Sequence, residues 1–260
     1  MRLTFQPQPA LHPIFEALGY VSAYLLYKRE RARQSDSLTE YHRWLIIAAG
    51  AIGALLGSRF LGILEELPRP GFDWHMFFAI SGGGKTIVGG LLGGWIAVEF
   101  AKRISGIRAR TGDIFAVPLC FGIAIGRIGC FFAGLADDTY GKPTTLPWGV
   151  NFGDGIPRHP TQLYEILFLS GLVLALYRLN AKPHRTGIVF QIFLGSYLAW
   201  RFLIDFIKPQ PLAHGLNMIQ WACLAGLVAL LIDGLTSSPQ SHFPTNRKTN
   251  KTRRALRPPS

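Results

Sequence analysis

Long apolar blocks separated by short charged ones are the feature that most restricts this 260-residue chain. Seven blocks stand out, at roughly 11–27, 44–64, 86–100, 113–133, 162–178, 187–207 and 216–235. Most reach the ~17–25 residues that a helix needs to cross ~30 Å of hydrocarbon. The first is marginal, and the third is long enough only if it extends into 80–85. The expected fold class is an all-α polytopic membrane protein with about seven transmembrane helices. The expected organisation is a single integral-membrane domain over 1–235, with outer loops near 65–85 and 134–161. A basic, disordered cytoplasmic tail at 236–260 is expected to follow, rich in Ser, Pro, Thr and Asn with few apolar residues.

The net charge of +12 would also suit a basic soluble domain, so the distribution of charge has to decide. With the N-terminus placed outside, the inner side holds 18 of the 27 Lys and Arg residues. They cluster at Lys28–Arg43, Lys102–Arg110, Arg178–Arg185 and Arg247–Arg257. The excess of cytoplasmic Lys and Arg favours N-out, C-in. Topology thus accounts for the basic balance, and no nucleic acid is expected as a partner. The tail would be drawn to anionic inner-leaflet lipid. No basic segment leads directly into an apolar core at the N-terminus, so no cleavable signal peptide is expected. Cys120, Cys130 and Cys223 all lie in apolar blocks, which implies no disulfide framework.

Arg127 lies inside the apolar run Phe121–Phe132. A guanidinium at the centre of a lipid-facing helix costs about 2.5–3.5 kcal/mol or more, so such a residue faces a polar cavity, a partner or a headgroup. At ~1.5 Å per helical residue, Arg59, Arg127 and Arg201 start about 8–9 Å below the outer boundary. Glu16 falls at a similar depth, with Glu165 and Asp205 somewhat nearer the surface. Each Arg alone could snorkel to a lipid phosphate or a neighbouring carboxylate, and Arg201 and Asp205 can pair at i, i+4. Six ionisable residues from five helices in one layer fit a polar pocket open to the outer leaflet. Glu99, beside Lys102 and Arg103, marks the inner interface.

Glycines at 82–84, 89, 90, 93 and 94 surround the start of the third block. Small residues at helical spacing allow close helix packing in membranes, and glycines at a helix entry let backbone N–H groups approach an anion. Ser81-Gly-Gly-Gly-Lys-Thr86 is nonetheless not a P-loop, because Ala79 stands where that motif needs glycine and no strand precedes it. The loop over Gly134–Pro160 carries Trp148, suited to an interfacial anchor. It ends in Arg158-His-Pro-Thr-Gln-Leu-Tyr-Glu165, which places Arg158, His159, Gln162 and Glu165 around the outer mouth.

Three segments are specific: Gly126-Arg-Ile-Gly129, Gly141-Lys-Pro-Thr-Thr-Leu-Pro-Trp-Gly-Val150 and Arg158–Glu165. With Gly57-Ser-Arg59, Val88-Gly-Gly-Leu-Leu-Gly93 and Arg201-Phe-Leu-Ile-Asp-Phe206, they resemble the prolipoprotein diacylglyceryl transferase family over roughly residues 11–210. The resemblance implies a multi-pass enzyme of the bacterial inner membrane with seven helices, N-out and C-in. It implies transfer of the diacylglyceryl group of phosphatidylglycerol, or another anionic phospholipid, to the lipobox cysteine thiol of a prolipoprotein signal peptide. A thioether forms and glycerol phosphate leaves. Arg127 and Arg201 match the arginines around the phospholipid headgroup, Gly141 matches the glycine closing the signature, and Arg59 matches another family arginine. Gly126, Gly129, Arg158, Gln162, Tyr164, Glu165 and Asp205 are expected to serve substrate binding.

The chain also departs from that family. Val88 stands where the family has a histidine, Glu16 where it has a tyrosine, and Cys130 and Ala133 where it has asparagines. Leu135 replaces a glutamate, and two residues are inserted before Gly141. A thiol needs a base or a strongly electropositive setting to become a thiolate, and Glu16 and His159 are the candidate replacements. A related transferase with a different acceptor, a non-catalytic phospholipid-binding protein and a small-solute transporter are the other readings. Among the histidines none is paired with another ligand at zinc-like spacing, so no metal is expected, and no cofactor is implied.

Overall fold

The computed structural model describes residues 3–33, 38–67, 84–181, 184–209, 215–236 and 241–242. Seven long α-helices dominate these residues: α1 (His12–Arg33), α2 (Glu40–Glu66), α3 (Ile87–Ile104), α4 (Asp113–Ala133), α5 (Thr161–Asn180), α6 (Ile188–Ile204) and α7 (Met218–Thr236). Each coincides with one apolar block. Five of them are long and apolar enough to cross a membrane: α2, α4 with the turn after it, α5, α6 with the turn after it, and α7. α3 has only 18 residues and carries Glu99, Lys102 and Arg103 among them.

The third block lengthens at the end opposite to the one expected. Residues 84–86 precede the helix, and Thr86 caps it by accepting a hydrogen bond from the Gly89 N–H at 3.2 Å. A cap of this kind satisfies one of the orphan N–H groups of the first turn and halts the helix there. At the other end α3 continues past the apolar residues to Ile104, where Lys102 pairs with Glu99 at 2.8 Å. Basic residues in a last turn also oppose the negative end of the helix dipole.

The helices associate through glycine. α2 lies on α3 so closely that a Cβ at Gly53 would come within 2.4 Å of the Gly93 carbonyl oxygen, and one at Gly57 within 2.4 Å of that of Gly89. α1 crosses α4 in the same manner, a Cβ at Gly19 reaching 2.8 Å from the Gly122 carbonyl oxygen. Without a hydrophobic drive between helices in lipid, backbone approach of this kind supplies the packing. α5, α6 and α7 complete the bundle around a core of Leu169, Leu176, Phe193, Leu194, Leu198 and Cys223, all fully buried.

Short strands tie the chain ends to the loops. β1 (Leu3–Thr4) pairs in parallel with β2 (Val150–Asn151), which pairs antiparallel with β3 (Pro157–Arg158). The N-terminal segment therefore lies on the same face as the 134–160 loop. β4 (His184–Arg185) pairs antiparallel with β5 (Ser241–His242), joining the start of the C-terminal segment to the α5–α6 connection. The remainder of the expected tail and residues 68–83 of the expected loop lie outside the described residues.

The α2–α3 contact makes a stability prediction. Gly57→Val should lower the thermal midpoint of the detergent-solubilised protein, because overpacking costs about 1–3 kcal/mol. Gly171→Ala, on α5 where a Cβ would meet nothing within 4 Å, should leave it unchanged or slightly raised. Equal midpoints for Gly57→Val and the parent would contradict the packing described.

Candidate active site

α4 places Arg127 between two glycines with different surroundings. At Gly126 a Cβ would meet nothing within 4 Å, whereas at Gly129 it would lie 2.8 Å from Phe15 Cβ and 3.1 Å from the His12 carbonyl oxygen. The first leaves open space beside the cavity. The second lets the start of α1 press against α4. Arg127 itself is buried, with Nε 2.9 Å from Oε2 of Glu165 in α5. That approach is an ion pair by distance, and the N–H is not aligned on the oxygen as a hydrogen bond. The other oxygen of Glu165 accepts the hydroxyl of Tyr197, from α6, at 2.7 Å.

A second buried pair lies beside the first. Arg201 Nη2 is 3.2 Å from Oδ1 of Asp205, one turn later. Asp205 Oδ2 accepts from the Asn217 amide at 3.2 Å, just before α7. The Nη1 group of Arg201 is buried and makes no hydrogen bond among the described residues. Lys208, just beyond α6 and its short 3-10 extension (Asp205–Ile207), is also buried. Burial first, and then the charges of Arg201 and Arg127, push its ammonium down to about 7.

These cations line one end of a cavity of about 1280 Å³ that runs between the α1–α4 and α2–α3 pairs. Its size exceeds the ~300–1,000 Å³ of ordinary small-molecule pockets. Apolar side chains such as Ile47, Leu55, Leu91, Leu119 and Ile123 form much of the remaining wall.

The predicted residues divide into two groups. Glu16, Arg59, Gly126, Arg127 and Arg201 line the cavity, and Glu165 and Asp205 sit directly behind its arginines. Glu16 accepts the Tyr20 hydroxyl at 3.2 Å. Of the others, Gly141, Arg158 and His159 belong to the loop, Gln162 and Tyr164 to the first turn of α5, and Gly129 to α4. His159 is absent from the cavity wall, and its Nδ1 lies 3.3 Å from the Tyr164 hydroxyl, which also accepts from the Trp148 indole at 2.8 Å. Arg158 pairs with Asp154 at 2.6 Å and stacks over the Tyr140 ring. Gln162 donates to the Thr139 hydroxyl at 3.1 Å. Gly141 has no room for a Cβ, which would fall 2.6 Å from that of His159. The His159 ring thus sits outside the cavity wall, in contact with Tyr164 of α5. Val88 is fully buried in the apolar core, so the position of the missing family histidine carries no titrating group.

Sequence reading missed His12, Asp137, Tyr197 and Lys208. His12 Nε2 lies 3.3 Å from Asp137 Oδ1 and 3.7 Å from Cys130 Sγ, and Arg127 Nη1 is 3.6 Å from the same sulfur. Only the α1–α4 contact brings these residues together. Lys208 had a signal, as the first basic residue after the Arg201–Phe206 segment.

The sequence matches the family model described as prolipoprotein diacylglyceryl transferase over residues 10–233. A phosphatidylglycerol–prolipoprotein diacylglyceryl transferase of Geobacter sulfurreducens is 34% identical over 209 residues, covering 76% of this chain and 77% of the relative. One from Bordetella avium is 34% identical over 242 residues, covering 86% and 89%. One from Nitratidesulfovibrio vulgaris is 32% identical over 225 residues, covering 82% and 81%.

Two outcomes follow from the buried charges. Glu165→Gln should destabilise the protein by about 3–5 kcal/mol, since it leaves Arg127 buried without its counter-charge; denaturant unfolding checks this. Lys208 is cationic below about pH 7 and neutral above it. Affinity for an anionic phospholipid, measured by microscale thermophoresis in detergent, should therefore hold steady below pH 7 and fall as pH rises beyond it. Lys208→Met should remove that fall.

Proposed function

The chain belongs to the prolipoprotein diacylglyceryl transferase family, and from that premise we propose that it transfers the diacylglyceryl group of phosphatidylglycerol to the lipobox cysteine thiol of a prolipoprotein. The observation that carries this reading is the Nη1 of Arg201, buried and without an acceptor among the described residues, on a cavity walled largely by apolar side chains. A buried guanidinium N–H without an acceptor loses about 1–3 kcal/mol or more, and a phosphate oxygen would restore it. Arg is suited to that task because its fork meets phosphate bidentately.

In this reaction the acceptor sulfur displaces phosphate at the glyceryl carbon, and negative charge gathers on the departing phosphate oxygens. Arg127, Arg201 and protonated Lys208 stand where that charge would form. Glu165 and Asp205 hold the two guanidiniums in place from behind, so little reorganisation is needed as the charge develops. The apolar walls would receive the acyl chains. Arg59 and Glu16 would meet the headgroup or the peptide near the cavity wall.

The topology proposed is seven crossings with the N-terminus outside and the C-terminus inside, in a bacterial inner membrane. The strand pairings support it, because they put the N-terminal segment and the start of the C-terminal segment at loops separated by an odd number of helices. The 236–260 tail would then lie on the inner face, where its basic residues would meet anionic lipid.

The test is transfer in phosphatidylglycerol liposomes to a lipobox peptide, read by intact mass. A diacylglyceryl adduct is expected from the parent protein. Arg201→Ala should reduce its rate by about 10²–10³-fold, the effect of removing one charge-stabilising donor. No adduct from folded, lipid-binding protein would overturn the proposal.

A further inference from the structure

The reaction requires an ionised acceptor thiol, and Val88, where the resemblance expects a histidine, is sealed in the core. The cavity instead contains three ligand-type side chains, His12, Cys130 and Asp137. They come from the first residue of α1, from the last turn of α4 and from the 3-10 turn that follows it (Gly134–Asp137). Their donor atoms all lie within 4.8 Å of one another.

The spacing is informative. A tetrahedral zinc ion, with bonds of about 2.0–2.2 Å to nitrogen and oxygen and about 2.3 Å to sulfur, sets donor–donor edges of about 3.3 Å for N···O and about 3.6 Å for N···S. The observed edges are 3.3 Å from His12 to Asp137 and 3.7 Å from His12 to Cys130. Both contacts fall on the same ring nitrogen, Nε2. If it carries a proton it can serve Asp137, and the Cys130 sulfur, which already accepts from Arg127 Nη1, is met only as a second acceptor. If it lacks one it can accept from the thiol but repels the carboxylate. A cation among the three donors matches both printed edges, with His12 Nε2 unprotonated and its lone pair on the metal.

The surroundings agree with this. Thr139 donates its hydroxyl to Asp137 Oδ2 at 2.8 Å, which leaves Oδ1 facing His12 and orients the carboxylate from the outer shell. Arg127 is a neighbouring cation, but Glu165 offsets it. A thiolate at Cys130 and the Asp137 carboxylate would together neutralise a divalent ion.

We propose that His12 Nε2, Cys130 Sγ and the Asp137 carboxylate bind a zinc ion whose fourth position opens to the cavity and takes the acceptor thiol. The metal site stands on its own geometry, whereas the identity of its fourth ligand rests on the transferase reading. A thiol that coordinates zinc gives up its proton, here to solvent at the cavity mouth. The bound thiolate sulfur then forms the C–S bond to the glyceryl carbon as that carbon's bond to the phosphate oxygen breaks. Glycerol phosphate leaves with the electron pair, and no oxidant or reductant is involved. In this chain the metal takes over the activation of the thiol that the missing histidine would have performed.

The test begins with metal content. Full-length protein, purified without a metal-affinity step and reloaded after chelation, should hold about one zinc per chain by elemental mass spectrometry. Cys130→Ser and Asp137→Asn should each lose most of it while keeping the parent's elution profile and helical circular dichroism. Loading with cobalt instead should give a sulfur-to-cobalt charge-transfer band that Cys130→Ser abolishes. Adding a lipobox peptide should intensify that band, and the serine version of the peptide should not. No stoichiometric zinc, or a cobalt spectrum indifferent to Cys130→Ser, would overturn the site. Transfer that persists at the parent rate with no metal bound would overturn the metal's part in activating the thiol and leave the transferase reading intact. Bound zinc and a peptide-responsive spectrum without transfer would uphold the site and count against the transferase reading alone.

Discussion

The ion pair between Arg127 and Glu165 is the contact on which the charged end of the molecule is organised. It joins α4 to α5, and the Tyr197 hydroxyl brings α6 to the same carboxylate. One buried oxygen pair thus ties three helices together. An uncompensated guanidinium in hydrocarbon would cost about 2.5–3.5 kcal/mol, and breaking such a pair once formed costs about 3–5 kcal/mol. Both penalties favour keeping the two residues as a unit. Close packing does the rest: Gly129 lets α1 approach, and α1 carries His12 to the same place.

The second pair shows why this arrangement is more than structural. Asp205 engages one side of the Arg201 guanidinium and Asn217 steadies Asp205, yet the remaining Nη1 is buried without an acceptor among the described residues. Lys208 is also buried, and that burial, followed by the charges of Arg201 and Arg127, pushes its ammonium down to about 7. In the proposed reaction an anion from the lipid would satisfy the guanidinium and restore the charge of the lysine together. Recognition of a phosphate and stabilisation of its developing charge would then use the same atoms.

Much of this was readable from the chain. The apolar blocks mark all seven helices, and the depth of Arg59, Arg127, Arg201, Glu16, Glu165 and Asp205 pointed to one charged layer, where two ion pairs now stand. Periodicity and spacing report what lies along one helix. They do not report which faces of different helices meet. His12 and Cys130 are 118 residues apart, so no spacing rule connects them. His159, readable at the outer mouth, is turned into the loop by Tyr164, a contact set by loop geometry. The third helix was displaced for a local reason, since the Thr86 cap fixes its start and leaves the charged end to extend.

The central claim is that the free edge of the Arg201 guanidinium meets the phosphate of a bound phospholipid. Solid-state NMR of ¹⁵N-arginine-labelled protein in phosphatidylglycerol bilayers measures this directly, through ³¹P–¹⁵N dipolar recoupling with Arg201→Lys for assignment. The account predicts phosphorus-dependent dephasing of the Arg201 Nη signal at hydrogen-bonding range, lost in the variant. An Arg201 signal unaffected by phosphorus, in protein saturated with the lipid, would contradict it.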